Sequence, residues 1–440
     1  MKTVARLAAA CSIATAAFAQ NPGDLERRIQ ELERRVRDQD RTIDAQDEKI
    51  QGLMQRTGET DPARIEQAVD AYLDQKREKG ELPALSDLSL EGIWKDGFKL
   101  TTRDKQHQLE IGGFLQADGN FELASDDPLI STFLVRRARI HATGFMFKYY
   151  WWKVEGDFAG ANAILQDAWL DVRYIDQAQL QFGQFKAPFG LEELTSDKYM
   201  KMIERSMGSS FITPVRQVGG MIHGDLFDKR VGYGVGLFNG NGQNVRDNND
   251  DKEFVGRIFT EPFRDQENMW IKGIHVGGAA SYGTPEAALA GTGPRTAVGT
   301  RFFSYNTGVI SENERIRWGV EGAWFVGPFG VSGEYMEQID DLGNPRTPAF
   351  YSGRSKLRNW YVTTSYFLTG EECTFKRPKV LKPFDPRSDE SGPGAWELAA
   401  QVGEFISEET EPFITGNDSA TQYVGGINWW PNSAVRFAVN

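Results

Sequence analysis

Between residues 133 and 147 the side chains alternate in a way that few folds permit. Even positions read Leu134, Arg136, Ala138, Ile140, Ala142, Gly144 and Met146, and the middle odd positions read Arg137, Arg139, His141 and Thr143. Successive side chains on a strand point to opposite faces, so this segment has one nearly apolar face and one basic, polar face. A soluble sandwich also alternates, but its polar face rarely sets two arginines and a histidine in line without acids between them. Apolar outward and polar inward over about ten residues is the pattern of a membrane-barrel strand, with lipid on one side and a wet lumen on the other. Beyond the first residues no apolar run reaches the roughly 18 residues that a membrane-spanning helix needs, which excludes a helical membrane protein. The 46 glycines and 12% aromatic content suit a barrel, whose short strands keep overall hydropathy low.

The alternation recurs along the chain. A first strand is expected over 107–121, with 133–147 the second. The third sends Tyr150, Trp152, Val154 and Phe158 outward and Trp151, Lys153, Glu155 and Asp157 inward. Aromatics at 149–152 fit an interfacial girdle. The fourth, 164–174, turns Ala168, Leu170 and Val172 outward and Asp167, Asp171 and Arg173 inward. The fifth carries Leu180 and Phe182 outward, and strands six and seven form a hairpin at 227–230. Strand eight turns Arg257 inward, strand nine covers 270–282, and 283–300 reads as a long loop. Strands ten and eleven pair across 327–329, with Trp318, Val320 and Trp324 outward and Arg315, Arg317 and Glu321 inward. Strands twelve to fifteen are expected at 359–370, 396–405, 422–430 and from 434 onward. Closed bacterial barrels have an even strand count, and an open edge in lipid is costly. The expectation is therefore a sixteenth strand, about 30 residues beyond Asn440 for one loop and one strand of about ten, unless 301–305 is itself a strand. Short connections mostly follow even strands, as periplasmic turns do. The exception is 371–395, which is proline-rich and basic in its first half.

The stretch 182–206, FGQFKAPFGLEELTSDKYMKMIERS, does not alternate. Pro188 and Gly190 break a strand there. Leu191, Leu194, Lys198 and Met202 follow at helical spacing, which predicts a partly helical insertion between two strands. From these residues alone, a surface helix on a soluble β-protein is an equal reading. The phrases GQFKAPFGLEELTS and KYMKMIERS, with WKDGF at 94–98 and FLTGE at 367–371, resemble the phosphate-selective porin O/P family. Its members are outer-membrane trimers of 16-stranded antiparallel transmembrane β-barrels. The resemblance implies that residues 94–440 are the barrel and that 186–210 form a constriction loop folded into the lumen. It implies that 371–395 are a periplasmic turn folded up into the barrel, and that the partners are two further copies, the outer-membrane bilayer and small anions such as phosphate.

Residues 1–19 read as a signal peptide, with Lys2 and Arg6, an apolar 7–17 and the small residues Ala17 and Ala19 at the cleavage site. Its removal takes two cations and no anions, so the net charge goes from −12 to −14. Cys373 is then the one remaining cysteine, which excludes an internal disulfide. Residues 25–53 carry heptads, with Ile29, Val36, Ile43 and Ile50 on one seam and Leu25, Leu32, Gln39, Gln46 and Leu53 on the other. This predicts an α-helical coiled coil over 20–58 in the periplasm. A helix and linker follow over 59–93. The coil is read as a structural spacer or trimerisation stalk, with a grip on the cell wall as the other use.

Function follows from the inner face. The four histidines, the lack of metal-ligand spacing and the lack of a nucleophile motif give no catalytic site, metal site or cofactor, and nothing points to nucleic acid. Pore selectivity comes from charged rings and constrictions. Arg and Lys replace the lost hydration of an anion with charge-assisted hydrogen bonds. The candidate anion pathway is Arg137, Arg139, Lys153, Arg257 and Arg317 on the wall, and Lys186, Lys198, Lys201 and Arg205 on the loop. Lys376 and Arg377 come from the infolded turn, and Lys186, inside the resembling motif, leads the set. Glu155, Asp157, Asp167 and Asp171 share that wall. The expected function is passive diffusion of small hydrophilic solutes, with anions and phosphate favoured. The alternatives are a general or otherwise selective porin and a coiled-coil envelope tether whose barrel is an anchor.

Overall fold

The computed structural model describes residues 90–94, 97–121, 131–297, 299–346, 352–408 and 413–440. The signal peptide, the coiled coil and the helix after it lie outside the described residues. The described chain is an antiparallel β-structure in which neighbours in sequence are neighbours in space. The opening strands are β1 (Leu90–Trp94), β2 (Phe98–Thr102), β3 (Gln108–Asn120), β4 (Thr132–Met146), β5 (Tyr150–Asp157), β6 (Ile164–Ile175) and β7 (Ala178–Lys186). After an inserted loop come β8 (Arg216–Leu226), β9 (Val231–Phe238), β10 (Glu253–Thr260), β11 (Ile274–Gly283), β12 (Ala287–Ala288) and β13 (Phe303–Tyr305). The series ends with β14 (Ile310–Val326), β15 (Phe329–Gly343), β16 (Ser352–Phe367), β17 (Ala395–Glu408), β18 (Ile414–Gly416), β19 (Ser419–Asn432) and β20 (Val435–Val439). Each strand from β1 to β11 pairs antiparallel with the next; β11 then pairs with β14, and β14 to β17, β19 and β20 continue the series.

Burial is inverted relative to a soluble protein. Leu115, Phe133, Ile140, Phe182, Ile258 and Val320 are exposed, whereas Glu155, Asp167, Asp171, Arg317, Glu334 and Gln401 are buried. Along β17 the pattern is regular: Ala395, Glu397, Ala399, Gln401, Gly403, Phe405 and Ser407 are buried, while Trp396, Leu398 and Ala400 point out. An apolar outer face with a polar inner face is stable only where the outside is not water. Among the described residues no helix is long and apolar enough to cross a membrane, which says nothing of strands.

Each of the fifteen strands expected within residues 107–440 has a counterpart, and four details are corrected. A hairpin, β1–β2, precedes the expected first strand and packs onto β3 through Phe98↔Ile111. Trp270 is not in a strand: with Asn268 accepting a hydrogen bond from its N–H (3.0 Å), it sits in a one-turn helix, Met269–Lys272, and β11 begins at Ile274. Residues 301–305 contribute only β13, which pairs with β18 in a separate two-stranded sheet. The fourth correction is in β4. Gln116 pairs with Arg137 and Ala117 with Val135, so Arg136 is an extra residue, a β-bulge. Beyond it the faces exchange, and Phe133 and Val135 are outward in place of Leu134 and Arg136.

Candidate functional site

Residues 187–215, between β7 and β8, leave the wall and enter the space that the sheet encloses. They touch β4 on one side and β15, β16, β17, β19 and β20 on the other. A single segment reaches both ends of the strand series only if the sheet curls around it. The partly helical insertion expected over 191–206 is broken into short turns. The loop has a one-turn helix α1 (Leu191–Leu194), a 3-10 turn (Asp197–Tyr199), extended residues, and a second short helix α2 (Met207–Phe211). Thr195, Ser196 and Met200 have extended backbones, which interrupts the helix at each step. Side chains of the surrounding wall take over the hydrogen bonds that a longer helix would have supplied.

The entry turn needs glycine. Gly190 has φ +79°, in the left-handed region, and a Cβ there would lie 3.0 Å from Thr213 Cγ2. Gly190 offers α1 no side-chain cap. The cap comes from the wall: buried Glu334 on β15 accepts hydrogen bonds from the N–H groups of Leu191 (2.6 Å) and Glu192 (2.9 Å), and from the Tyr361 hydroxyl (2.5 Å). A carboxylate at a helix start satisfies orphan donors and complements the local dipole. Further along, Asn359 accepts from Gly208 N–H (3.1 Å), and Asn428 donates to Lys201 O (2.9 Å). Arg436 donates to Met200 O (2.5 Å).

On the opposite side the fastener is Asp197. It pairs with Arg205 of the same loop (2.5 Å), Arg139 (2.6 Å) and Arg137 (3.6 Å). Glu204 receives a bidentate pair from Arg136 (2.5 and 3.0 Å) and a third contact from Arg137 (3.4 Å). The bulge therefore delivers two adjacent guanidinium groups to one loop carboxylate. Burial opposes the charge on Asp197, but Arg205, Arg137, Lys186 and Arg139 hold its pKa well below the usual carboxylate range. Burial likewise opposes the charge on Arg205, yet Glu193 and Asp197 raise its pKa further.

Most of the expected anion pathway is already neutralised. Lys186 donates to both the carboxylate (3.2 Å) and the carbonyl of Glu193. Lys201 pairs with Glu397 (2.7 Å), which with Cys373 lifts the Lys201 pKa against burial. Arg139 also pairs with Asp157 (2.8 Å), and Lys153 with Asp167 (2.6 Å) and Glu155 (2.9 Å). Arg257 binds Glu321 (3.0 Å through Nε), and Arg317 binds Glu253 and Gln338 (3.0 Å). Lys198 and Lys376 differ: among the described residues neither pairs with a carboxylate. Lys376 is exposed on the turn, whereas the Lys198 ammonium group sits 5.5 Å from the Phe114 ring centre. Burial first, then neighbouring Arg377, lower the Lys198 pKa from its ordinary value.

The turn after β16 behaves in two halves. Residues 371–380 pack inward: Cys373 and Val380 are buried with Phe367, Ala395 and Trp430, and Phe375 meets Phe325 (4.7 Å). Arg377 lies over the Tyr199 ring (5.9 Å), so this half touches the loop; Lys376 is exposed. Residues 381–391 are exposed. Sequence reasoning did not single out Glu334, Glu204, Glu397 or Arg216, which pairs with Asp167 (2.7 Å). For Glu334, Glu397 and Arg216 the available signal was an inward-facing charge at the parity of its strand; Glu204 lies in the loop and carried none. No group of three His, Cys, Asp or Glu side chains placed to hold a metal occurs among the described residues.

The model of the family described as phosphate-selective porin O and P matches residues 109–440. Porin O of Pseudomonas aeruginosa is 24% identical over 389 residues, which covers 78% of this chain and 84% of that protein. The outer membrane channel DcaP of Acinetobacter baumannii aligns over 77% of this chain and 90% of its own, at 11% identity and a TM-score of 0.48. The trimer form of OmpT, an outer membrane protein of Vibrio cholerae, aligns over 73% of this chain and 84% of its own, at 12% identity and a TM-score of 0.46.

Proposed function

This chain belongs to the phosphate-selective porin O and P family, and from that premise we propose that Lys198 is its principal anion contact. The protein is an outer-membrane porin. The single observation that carries the assignment to Lys198 is its ammonium group, which has no carboxylate within ion-pair distance among the described residues. A cation already paired with a carboxylate has spent its field on that partner; an unpaired one attracts a passing anion. Lys186, the leading residue of the motif, instead braces Glu193, and Lys201 and Arg205 fasten the loop. Arg377, stacked on Tyr199, adds positive potential beside Lys198.

Bacterial barrels have an even number of strands, so the wall series is read as part of a sixteen-stranded barrel, assembled as a trimer. Residues 1–19 serve as the export signal, 20–58 as a periplasmic coiled coil and 59–93 as a helix and linker. Contact of that coil with the cell wall is tested by deleting residues 20–80. Loss of envelope attachment with permeation intact supports the tether; unchanged attachment removes it.

The test of the anion reading is reversal potential in a planar bilayer under a KCl gradient, followed by titration with inorganic phosphate. The expected result is an anion-directed potential, block of chloride current by phosphate, and loss of both in Lys198→Ala. A potential near zero or cation-directed, without block, overturns it. One observation favours the second reading, a general porin: the loop carries Glu192, Glu193, Asp197 and Glu204 against Lys198, Lys201 and Arg205.

A further inference from the structure

The partly exposed cations beside the loop are stacked on aromatic rings. Lys198 lies 5.5 Å from the centre of Phe114 and Arg377 5.9 Å from that of Tyr199. Nearer the turn that joins β4 to β5, Arg173 lies 4.5 Å from the centre of Trp151, and Trp151 packs against Phe145 at 5.0 Å. Phe114, Phe145 and Trp151 are inward by strand parity, yet none is fully buried. One hollow opens between β3 and β20 and is lined by Phe114, Asp118, Asp197, Lys198, Tyr199 and Arg377. An inorganic oxyanion has no use for these ring faces. An oxyanion attached to a flat ring does: it removes apolar surface from water while its charged end reaches the ammonium group. Charge number points the same way. Glu155 and Glu110 are close enough to act on Lys198, and they oppose a multiply charged solute more than a singly charged one.

We propose that Phe114, Lys198 and Tyr199 form a subsite for aryl oxyanions, small solutes with a carboxylate or phosphate group borne directly on an aromatic ring. Lys198 takes the oxyanion, and Phe114 and Tyr199 take the ring. This rests on the reading of Lys198 as the anion contact, and it sets which anions that contact prefers.

The experiment is block of chloride current in planar bilayers by two matched pairs of probes: phenyl phosphate against inorganic phosphate, and benzoate against acetate. In each pair the aryl member blocks at about tenfold lower concentration, equivalent to ~1.4 kcal/mol. Phe114→Leu keeps the apolar bulk without the ring. It is expected to remove most of the tenfold difference, with heat-modifiable migration of the barrel on a denaturing gel as the check on folding. Tyr199→Leu gives the same result if Phe114→Leu does not assemble. Equal potency within each pair, with Lys198→Ala relieving both, overturns the subsite and leaves the anion reading standing. A tenfold difference that survives both leucine variants also overturns it. Absence of block by all four probes, with Lys198→Ala silent, removes the anion reading itself.

Discussion

Replacing Glu334 by glutamine alters one atom of a buried side chain and should loosen the whole loop. The carboxylate accepts three hydrogen bonds, from Leu191 N–H at 2.6 Å, Glu192 N–H at 2.9 Å and the Tyr361 hydroxyl at 2.5 Å. Glutamine keeps one oxygen, enough for Leu191. Its amide NH2 is then turned toward the Glu192 N–H, donor against donor, while Tyr361 can rotate its hydroxyl to accept. The Glu192 N–H loses a charge-assisted acceptor and is left an unpaired donor, about 1.5–3 kcal/mol. At the upper end, about 3 kcal/mol, the population with α1 detached rises roughly a hundredfold. The barrel itself keeps its strand pairing, so the variant should assemble. Single-channel recording should show current flickering to a second conductance level, with a reversal potential that differs between levels. If Glu334→Gln gives a steady current at the parent conductance and reversal potential, the wall carboxylate does not hold the loop and the argument fails.

Two further outcomes follow from charge. The lowered Lys198 pKa means that its positive charge is complete at low pH and is lost, as pH rises, earlier than that of an ordinary lysine at 10.5. Anion preference should therefore decline on the alkaline side before lysines of ordinary pKa titrate; a reversal potential that stays flat there contradicts this. Asp197, held far below 3.8, keeps its partners as pH falls through the usual carboxylate range, and their contribution is lost only through its own lower pKa. Asp197→Asn should cost about 1–3 kcal/mol of loop attachment, because Arg137, Arg139 and Arg205 each lose one charge-assisted contact while keeping Glu204, Asp157 and Glu193. It should also strengthen anion preference, since one carboxylate is removed from among three guanidinium groups. Thermal unfolding and reversal potential report the two effects, and an unchanged value of either counts against the pairing.

Much of the wall was legible in the sequence because a period of two is imposed by backbone geometry. Arg315, Arg317 and Glu321 were placed inward by parity alone, and they are buried. The bulge at Arg136 was not legible, since one extra residue leaves the composition of the strand unchanged and shifts only its phase. The loop was legible as an interruption but not as a structure. Leu191, Leu194, Lys198 and Met202 carry a helical period, yet Glu334 lies 143 residues from Leu191 and no local rule reports its presence. The role of Lys186 failed to follow from its motif for the same reason. A lysine is a binding group or a brace according to whether a carboxylate stands beside it, and Glu193 does. Nothing in the spacing of basic residues separated Lys198 from its neighbours; only the positions of the acids did.

The extra residue in β4 divides that strand into two registers of tolerance. Below Arg136, a scan of substitutions should find that Ala138, Ile140 and Ala142 accept bulky hydrocarbon and reject charge. Above it the same preference should appear at Phe133 and Val135, half a period out of step. Drift in the sequence on either side is thereby uncoupled. The Thr132 end of β4 can exchange its outward residues without disturbing the positions that meet the loop, provided the two guanidinium groups stay on Glu204 and mark the seam.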